Sequence, residues 1–302
     1  MSSNKRSHGK QSITLMLDGN KKKLSTFGFD FPVTSEIEIL GLSADSRHIK
    51  DGFLFAALPG TKTHGAEFSE EAVSKGCKVI LTDSVGANLV KNFEAKAFPE
   101  VIVVEDPAQE FARCASIWFD AQPKVLTAVT GTNGKTSVAS FARQIWEFLG
   151  HKAVNIGTIG VEGAINIPLR HTTPDPIVLH SVLADSVEAG VTHACIEASS
   201  HGLDQKRLDA VRVTAAAFTN LSHDHLDYHD NLNSYFLSKV GLFNRILNNN
   251  GTAIINIDDC WGKRLRSIVY SHGIKCLTIG KHESADIRIL NQKFSRESQD
   301  LR

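Results

Sequence analysis

The sequence predicts an α/β chain of two domains, and three observations carry that reading. Its 302 residues suit about two domains at ~150 residues each. Short apolar runs alternate with stretches of helical spacing from Ile37 onward. In the second half the apolar runs are continuous, as in strands buried on both faces of a largely parallel sheet. A hydrophobic fraction of 42% beside 22% charged residues lies near the average for soluble globular chains, enough to build cores.

Residues 1–25 are polar and lysine-rich, with Lys21, Lys22 and Lys23 in a row, and read as a lightly packed leader. An N-terminal α/β domain is expected over residues 26–121. Its strands are FLFAAL (Phe53 to Leu58), CKVILTD and VIVVED, with helical spacing from Glu67 to Lys75 and from Pro107 to about Phe119. Asp106 before Pro107 suits an N-cap followed by proline in the first turn. Pro123 in AQPK interrupts the helical pattern and a new apolar run begins at once, which sets the boundary.

The second domain, residues 122–302, opens with the strand VLTAVTG (Val125 to Gly131). Helical spacing follows in Val138, Phe141, Ile145, Phe148 and Leu149. AVNIG, THACIEAS, TAAAFTN, TAIINID and KCLTIG are the further strands, and Leu232 to Leu247 reads as a helix. Ligands of such sheets gather beyond the carboxyl ends of the strands. GTNGKTS, SSHGLDQKR and SHDHLDYH each stand at such an end.

Several function classes recede on composition. Lys+Arg and Asp+Glu are both 33, so no charge excess asks for nucleic acid or an anionic membrane. Five cysteines, odd in number and without a C-x-x-C pair, disfavour a disulfide framework and a structural zinc site. No apolar run is long enough for a membrane span and the N-terminus lacks a signal-peptide core, so a cytoplasmic protein without membrane insertion is expected.

The chemistry concentrates in three places. Gly131, Thr132, Asn133, Gly134, Lys135, Thr136 and Ser137 join a buried strand to a helix, where backbone N–H groups and the helix N-terminus can surround phosphate oxygens. Lys135 would supply charge to the phosphates and Thr136 a hydroxyl to magnesium. The strict phosphate-loop pattern asks for glycine where Val129 stands, so a plain glycine turn is the alternative. Glu197 ends the strand facing this loop, where a carboxylate suits magnesium, or a capping or salt-bridging role. His201 reads as structural. The run from Ser222 to His229 holds three histidines and two aspartates, at spacings that fit neither a zinc protease nor a zinc finger. His223 and His229 read as loop and capping groups; His225 is kept as a functional candidate.

GTNGKTS, IEASSHGLDQKR and FTNLSHDHLDYH, followed fourteen residues after His225 by Lys239, resemble in that order the Mur ligases of peptidoglycan synthesis. SADSR, FLFAALPGTKTHGAEF and His171-Thr172-Thr173-Pro174-Asp175 look like the branch that adds the third amino acid. The resemblance implies a uridine-nucleotide domain, a phosphate-loop central domain and a C-terminal ligase domain, the last absent from this sequence and the second incomplete in it. It also implies an ATP- and Mg2+-dependent amide ligation through an acyl phosphate. A free amino acid, meso-diaminopimelate or L-lysine, would join a UDP-N-acetylmuramoyl dipeptide, in a monomeric enzyme that binds no nucleic acid.

Residue by residue, the resemblance makes Ala44 and Ser46, with Thr61, Lys62 and Thr63, contacts on the uridine side. His171, Thr172, Thr173, Ser199, Gln205 and Arg207 resemble contacts to the dipeptide; His171 stands where some relatives carry asparagine. Gly131 to Ser137 becomes the ATP loop, and Asn256 with Asp259 the adenine-side segment. Lys135, Glu197, His225 and a carbamylated Lys239 take catalytic roles, with Thr136, Glu197, His225 and Lys239 toward magnesium. Two alternatives stand beside this: a folylpolyglutamate synthetase, against which the SADSR and HTTPD segments speak, and a non-catalytic fragment that binds nucleotide or UDP-sugar.

Overall fold

A computed structural model of the chain describes residues 21–30, 33, 36–91, 99–296 and 298–302. Most of the expected leader, residues 1–20, lies outside the described residues. Two compact units are resolved, Met1–Phe119 and Asp120–Arg302.

In the first unit, β1 (Lys22–Lys23) pairs antiparallel with β2 (Glu38–Ile39). A 3-10 turn at Leu24–Phe27 buries Leu24 and Phe27 completely. Ordered packing therefore begins before residue 25, where the sequence reading still had a leader. Two apolar side chains among the lysines are enough to anchor the segment. Next come β3 (Gly41–Ser43), β4 (Phe53–Ala56), α1 (Ser69–Ser74), β5 (Val79–Thr82), α2 (Ser84–Val90), β6 (Glu100–Val103) and α3 (Pro107–Phe119). The four strands β3-β4-β5-β6 form one parallel sheet in chain order. Asp106 Oδ1 accepts from Gln109 N at 3.0 Å and so caps α3, and Phe111, Cys114, Ala115 and Trp118 bury one of its faces.

The second unit contains β7 (Val125–Thr130), α4 (Lys135–Phe148), β8 (Ala153–Gly157), β9 (Gly160–Gly163), α5 (Pro176–Glu188), β10 (His193–Glu197) and α6 (Ser200–Asp204). β11 (Val213–Phe218), α7 (Leu232–Gly241), β12 (Leu247–Asn256), α8 (Cys260–Ser271), β13 (Lys275–Gly280) and β14 (Ile287–Arg288) follow, then a small hairpin of β15 (Gln292–Phe294) and β16 (Gln299–Leu301). Eight strands make one sheet in the order β14-β13-β12-β11-β7-β10-β8-β9. All neighbours are parallel except β8 and β9. After β7 the chain winds first to one side and then, from β11, to the other. The place where the winding reverses is where such sheets open a ligand crevice.

The helix expected over Leu232 to Leu247 ends earlier than its periodicity suggests. α7 passes into a π-helical turn at Leu242–Ile246, and Leu247 already begins β12. Leu126, Ile156, Ile196, Phe218, Phe236 and Ile255 lie in the main core. α4 packs through Ala139, Ala142 and Trp146 on a patch around Val129 and Cys195. The apolar positions read as its spacing, Val138, Phe141, Ile145, Phe148 and Leu149, are exposed instead. No helix among the described residues is long and apolar enough to cross a membrane, and the five cysteines are free thiols.

Candidate active site

Because β10, β7 and β11 are parallel neighbours, their carboxyl ends bring three loops to one edge of the sheet. Each of the three polar motifs begins at one of these ends.

The loop after β7 is shaped by glycine. Gly134 takes φ +87 immediately before α4, and Gly131 takes φ +142, where a Cβ would overlap the Thr219 hydroxyl. Both conformations are ones that side chains other than glycine disfavour. The neighbouring strand end holds the loop in place: Thr132 N donates to Asn220 O at 2.9 Å, Asn133 N to Asn220 Oδ1 at 3.1 Å, and Thr219 Oγ1 to Asn133 O at 2.7 Å. Thr219 and Asn220 were missed as site residues by sequence reasoning; their signal was the polar pair closing an otherwise apolar strand. Lys135 folds back over the loop, donating to Gly131 O at 3.0 Å and Thr132 O at 2.8 Å. Burial lowers its pKa, with Glu197 and Asp224 acting in the opposite direction.

Glu197, the last residue of β10, is buried and meets three donors. Thr136 Oγ1 lies 2.8 Å from its Oε2, Thr158 N 3.0 Å from Oε1, and Thr158 Oγ1 3.3 Å from Oε2. A Cβ at Gly157 would overlap this carboxylate, so the end of β8 must be glycine for Glu197 to sit there. Thr158 was also missed; nothing in the residue itself distinguishes it. Its hydroxyl continues the chain of contacts to Thr172 Oγ1 at 3.0 Å.

Thr173 is buried; its hydroxyl donates to Glu197 O at 2.8 Å and lies 3.0 Å from Ser199 Oγ. Ser199 Oγ in turn accepts from Gly202 N at 3.1 Å, capping α6. Arg207 Nη1 donates to Thr173 O at 2.8 Å, and its Nε and Nη2 reach Gln205 Oε1 at 3.1 and 2.6 Å. Thr172, Thr173, Ser199, Gln205 and Arg207 thus form one connected group, while His171 is exposed beside it.

Lys239 is fully buried on α7, where Nζ donates to Gly131 O at 3.0 Å and lies 4.2 Å from the centre of the Tyr235 ring. Burial brings its pKa down to about 7, helped by the charge of Lys135 and opposed by Asp224. An amine in that state is substantially neutral near pH 7. Tyr235 OH lies 3.2 Å from Thr132 Oγ1, so α7 is tied to the phosphate loop by two residues four apart. His225 takes φ +52 and is partly exposed beside Asp224, its Nε2 3.5 Å from Asp224 Oδ2. Its ring meets His201 edge to face at 5.0 Å. His229, read as a loop group, is buried among His201, Tyr228 and Tyr235 rings.

A cleft of about 430 Å3 lies beside the loop, lined in part by Asn133, Gly134, Val138, Phe218, Ile254 and Asn256. Asp259 does not line it: its oxygens accept from Gly262 N at 2.6 Å and Leu221 N at 3.2 Å, capping α8 and holding the segment after β11. In the first unit, Ser46 is buried and donates to Glu71 Oε2 at 2.7 Å, whereas Ala44, Thr61, Lys62 and Thr63 are exposed. No group of three or more His, Cys, Asp or Glu side chains suited to a metal occurs among the described residues. The oxygen atoms of Thr136 and Glu197 are hard donors of the kind magnesium prefers to share with phosphates.

A strand, a glycine loop and a helix, with a carboxylate at the end of the neighbouring strand, define a phosphate-loop protein. Residues 129–302 match the Mur ligase middle domain and residues 38–116 the catalytic domain of the Mur ligase family. The chain belongs to the Mur ligase family. It is 46% identical over 247 residues to UDP-N-acetylmuramoyl-L-alanyl-D-glutamate--2,6-diaminopimelate ligase of Brucella melitensis biotype 1, covering 82% of this chain and 49% of that protein. With the ligase of the same name from Zymomonas mobilis it shares 40% over 289 residues, 94% of this chain and 57% of the other. A solved structure of UDP-N-acetylmuramoyl-L-alanyl-D-glutamate--2,6-diaminopimelate ligase superposes with a TM-score of 0.78 at 26% identity, covering 93% of this chain and 57% of that one. The chain therefore spans about half the length of the curated relatives it matches.

Proposed function

We propose that this chain carries the ATP-binding and dipeptide-binding parts of a cytoplasmic ligase that joins 2,6-diaminopimelate to UDP-N-acetylmuramoyl-L-alanyl-D-glutamate. The observation that carries the reading is the meeting of Lys135, Thr136, Glu197 and Lys239 around one glycine loop, a few residues from the Thr173–Arg207 group. The names of the relatives at 40 and 46% identity supply the substrates and favour diaminopimelate over lysine.

A carboxylate does not condense with an amine until its oxygen becomes a leaving group. ATP would transfer its γ-phosphoryl group to the dipeptide carboxylate and release ADP. The amine nitrogen would then form the amide bond at the acyl carbon, phosphate would depart, and the nitrogen would lose a proton. The work left to the protein is mostly positioning and charge stabilisation. The loop N–H groups and α4 would hold the phosphates, with Lys135 swinging from Gly131 O and Thr132 O onto them. Arg207 would pair with a dipeptide carboxylate. Ala44, Ser46, Thr61, Lys62 and Thr63 are assigned to the uridine side, and Asn256 to the adenine cleft, with Asp259 supporting it.

Thr136 and Glu197, with His225 and Lys239, would hold magnesium, which when bound neutralises phosphate charge. The depressed pKa of Lys239 supports carbamylation: a neutral amine adds to carbon dioxide, an N–C bond forms and a proton leaves, so the side chain changes from cation to anion. Replacing Lys135 by alanine tests the reading. ATP affinity measured by calorimetry should fall by more than the ~1 kcal/mol of a neutral hydrogen bond. Equal affinity in the two proteins would overturn the assignment of the loop.

A further inference from the structure

Tyr228 lies in the SHDHLDYH run, yet no role in the ligation has been assigned to it or to Asp204. The phenol donates to Asp204 Oδ2 at 2.8 Å and accepts from Gln205 Nε2 at 3.2 Å. Gln205 Oε1 accepts twice from Arg207, and Arg207 reaches Thr173 O. Two loops from different strand ends are joined in this way, because Tyr228 follows β11 while Asp204, Gln205 and Arg207 follow β10.

The direction of every bond in this chain is fixed by its ends. Arginine can only donate, so the amide oxygen of Gln205 must face it and the amide nitrogen must face Tyr228. An ionised aspartate can only accept, so the phenol hydrogen goes to Asp204 and its lone pair to Gln205. Burial and the neighbouring Asp204 raise the phenol pKa, opposed by Gln205, which keeps that hydrogen in place at neutral pH. Lys206 takes φ +58, a left-handed turn between Gln205 and Arg207 that lets side chains two residues apart bond each other. Of the five guanidinium N–H groups of Arg207, three are used, by Gln205 and Thr173. One N–H on each terminal nitrogen is left over to donate to a carboxylate.

We propose that Tyr228, held by Asp204, is a positioning residue that orients the Gln205 amide and through it the Arg207 fork toward a carboxylate of the dipeptide. This rests on the reading of Arg207 given under Proposed function. A tyrosine at this place contributes to substrate selectivity without touching substrate: it lowers the number of orientations from which Arg207 must be recruited.

The test is calorimetry on the full chain with two ligands, UDP-N-acetylmuramoyl-L-alanyl-D-glutamate and UDP-N-acetylmuramoyl-L-alanine, which lacks the glutamate carboxylates. Wild type should prefer the first. Tyr228→Phe should lose about tenfold of that preference while binding the second ligand as wild type does. Asp204→Asn, at an exposed position, should shift the preference in the same direction by several fold, and guards against a folding defect in the phenylalanine variant. Combining Tyr228→Phe with Arg207→Lys should cost no more than Arg207→Lys alone, because both act through one fork. An unchanged preference in Tyr228→Phe, an equal loss for both ligands, or losses that multiply in the double variant would each overturn the relay. A wild type that does not discriminate between the ligands overturns instead the assignment of Arg207 to the dipeptide, and the relay's ligand with it.

Discussion

Thr136 Oγ1 donates to Glu197 Oε2 at 2.8 Å, which joins the first turn of the helix after the phosphate loop to the end of the next strand. Neither element alone would make an ion site. Parallel pairing of β7 with β10 puts Val129 opposite Glu197, and the loop then carries Thr136 back to the carboxylate. The pairing is a stand-in for what each group would do beside a phosphate-bound cation, with the hydroxyl and carboxylate oxygens already adjacent.

Glu197→Gln should therefore separate magnesium binding from nucleotide binding. The amide keeps an acceptor but loses the charge, and its NH2 group would face either the Thr158 N–H or the two hydroxyl donors. Calorimetry with ATP in magnesium and in chelator should show a large magnesium-dependent gain in wild type and little in the variant. Thermal stability should also fall, by about 1–3 kcal/mol for a mispaired buried polar group. A variant that retains the whole magnesium-dependent gain would remove Glu197 from the metal site.

The outer and inner faces of α4 give a second prediction. Phe148 is 91% exposed and Phe141 61%, whereas Ala139 is fully buried against Val129 and Cys195. Phe148→Ser should change stability by no more than ~0.5 kcal/mol, the range of ordinary surface substitutions. Ala139→Leu should cost about 1–3 kcal/mol, because added methylenes meet a packed sheet. Urea unfolding of the two variants distinguishes the faces, and a reversal of the two effects would mean that the helix is turned the other way.

The same helix shows where the sequence was and was not legible. Its existence followed from periodic apolar residues after a glycine loop, and the parallel sheet from continuous apolar strands. Its buried face did not follow, because α4 packs with small side chains, Ala139 and Ala142, and alanine carries little weight in an apolar count. The three motifs were legible because they are polar breaks at the ends of apolar strands. Thr158 and Tyr235 were not, since a threonine after a strand and a tyrosine in a helix are ordinary. Only the pairing of β8 with β10 and the return of α7 place them against Glu197 and Thr132. Asp259, read with Asn256 as one segment, has a structural task that its position alone did not announce: its oxygens cap α8 and hold Leu221.

His180 supplies a prediction about acid stability. It is buried on α5, its Nε2 has no hydrogen-bond partner among the described residues, and burial brings its pKa from the ordinary 6.5 to about 4. A hydrogen bond with the Asp209 backbone works against that shift and the charge of Arg212 adds to it. Above pH 6.5 the imidazole is neutral in both folded and unfolded chains and imposes no pH dependence. Between 6.5 and 4 the unfolded chain binds a proton that the native chain does not, so stability falls as the pH falls through that window. The full contribution is about 3 kcal/mol at ~1.36 kcal/mol per pKa unit. His180→Leu removes the titration and leaves the Asp209 backbone group without its partner, so the variant should be no more stable than wild type at pH 7. Its stability should nevertheless decline less between pH 7 and pH 4, by about that same ~3 kcal/mol. Urea midpoints at pH 7, 5.5 and 4.5 measure the difference in slope; parallel declines in the two proteins would show that His180 is already protonated, or solvated, in the native chain.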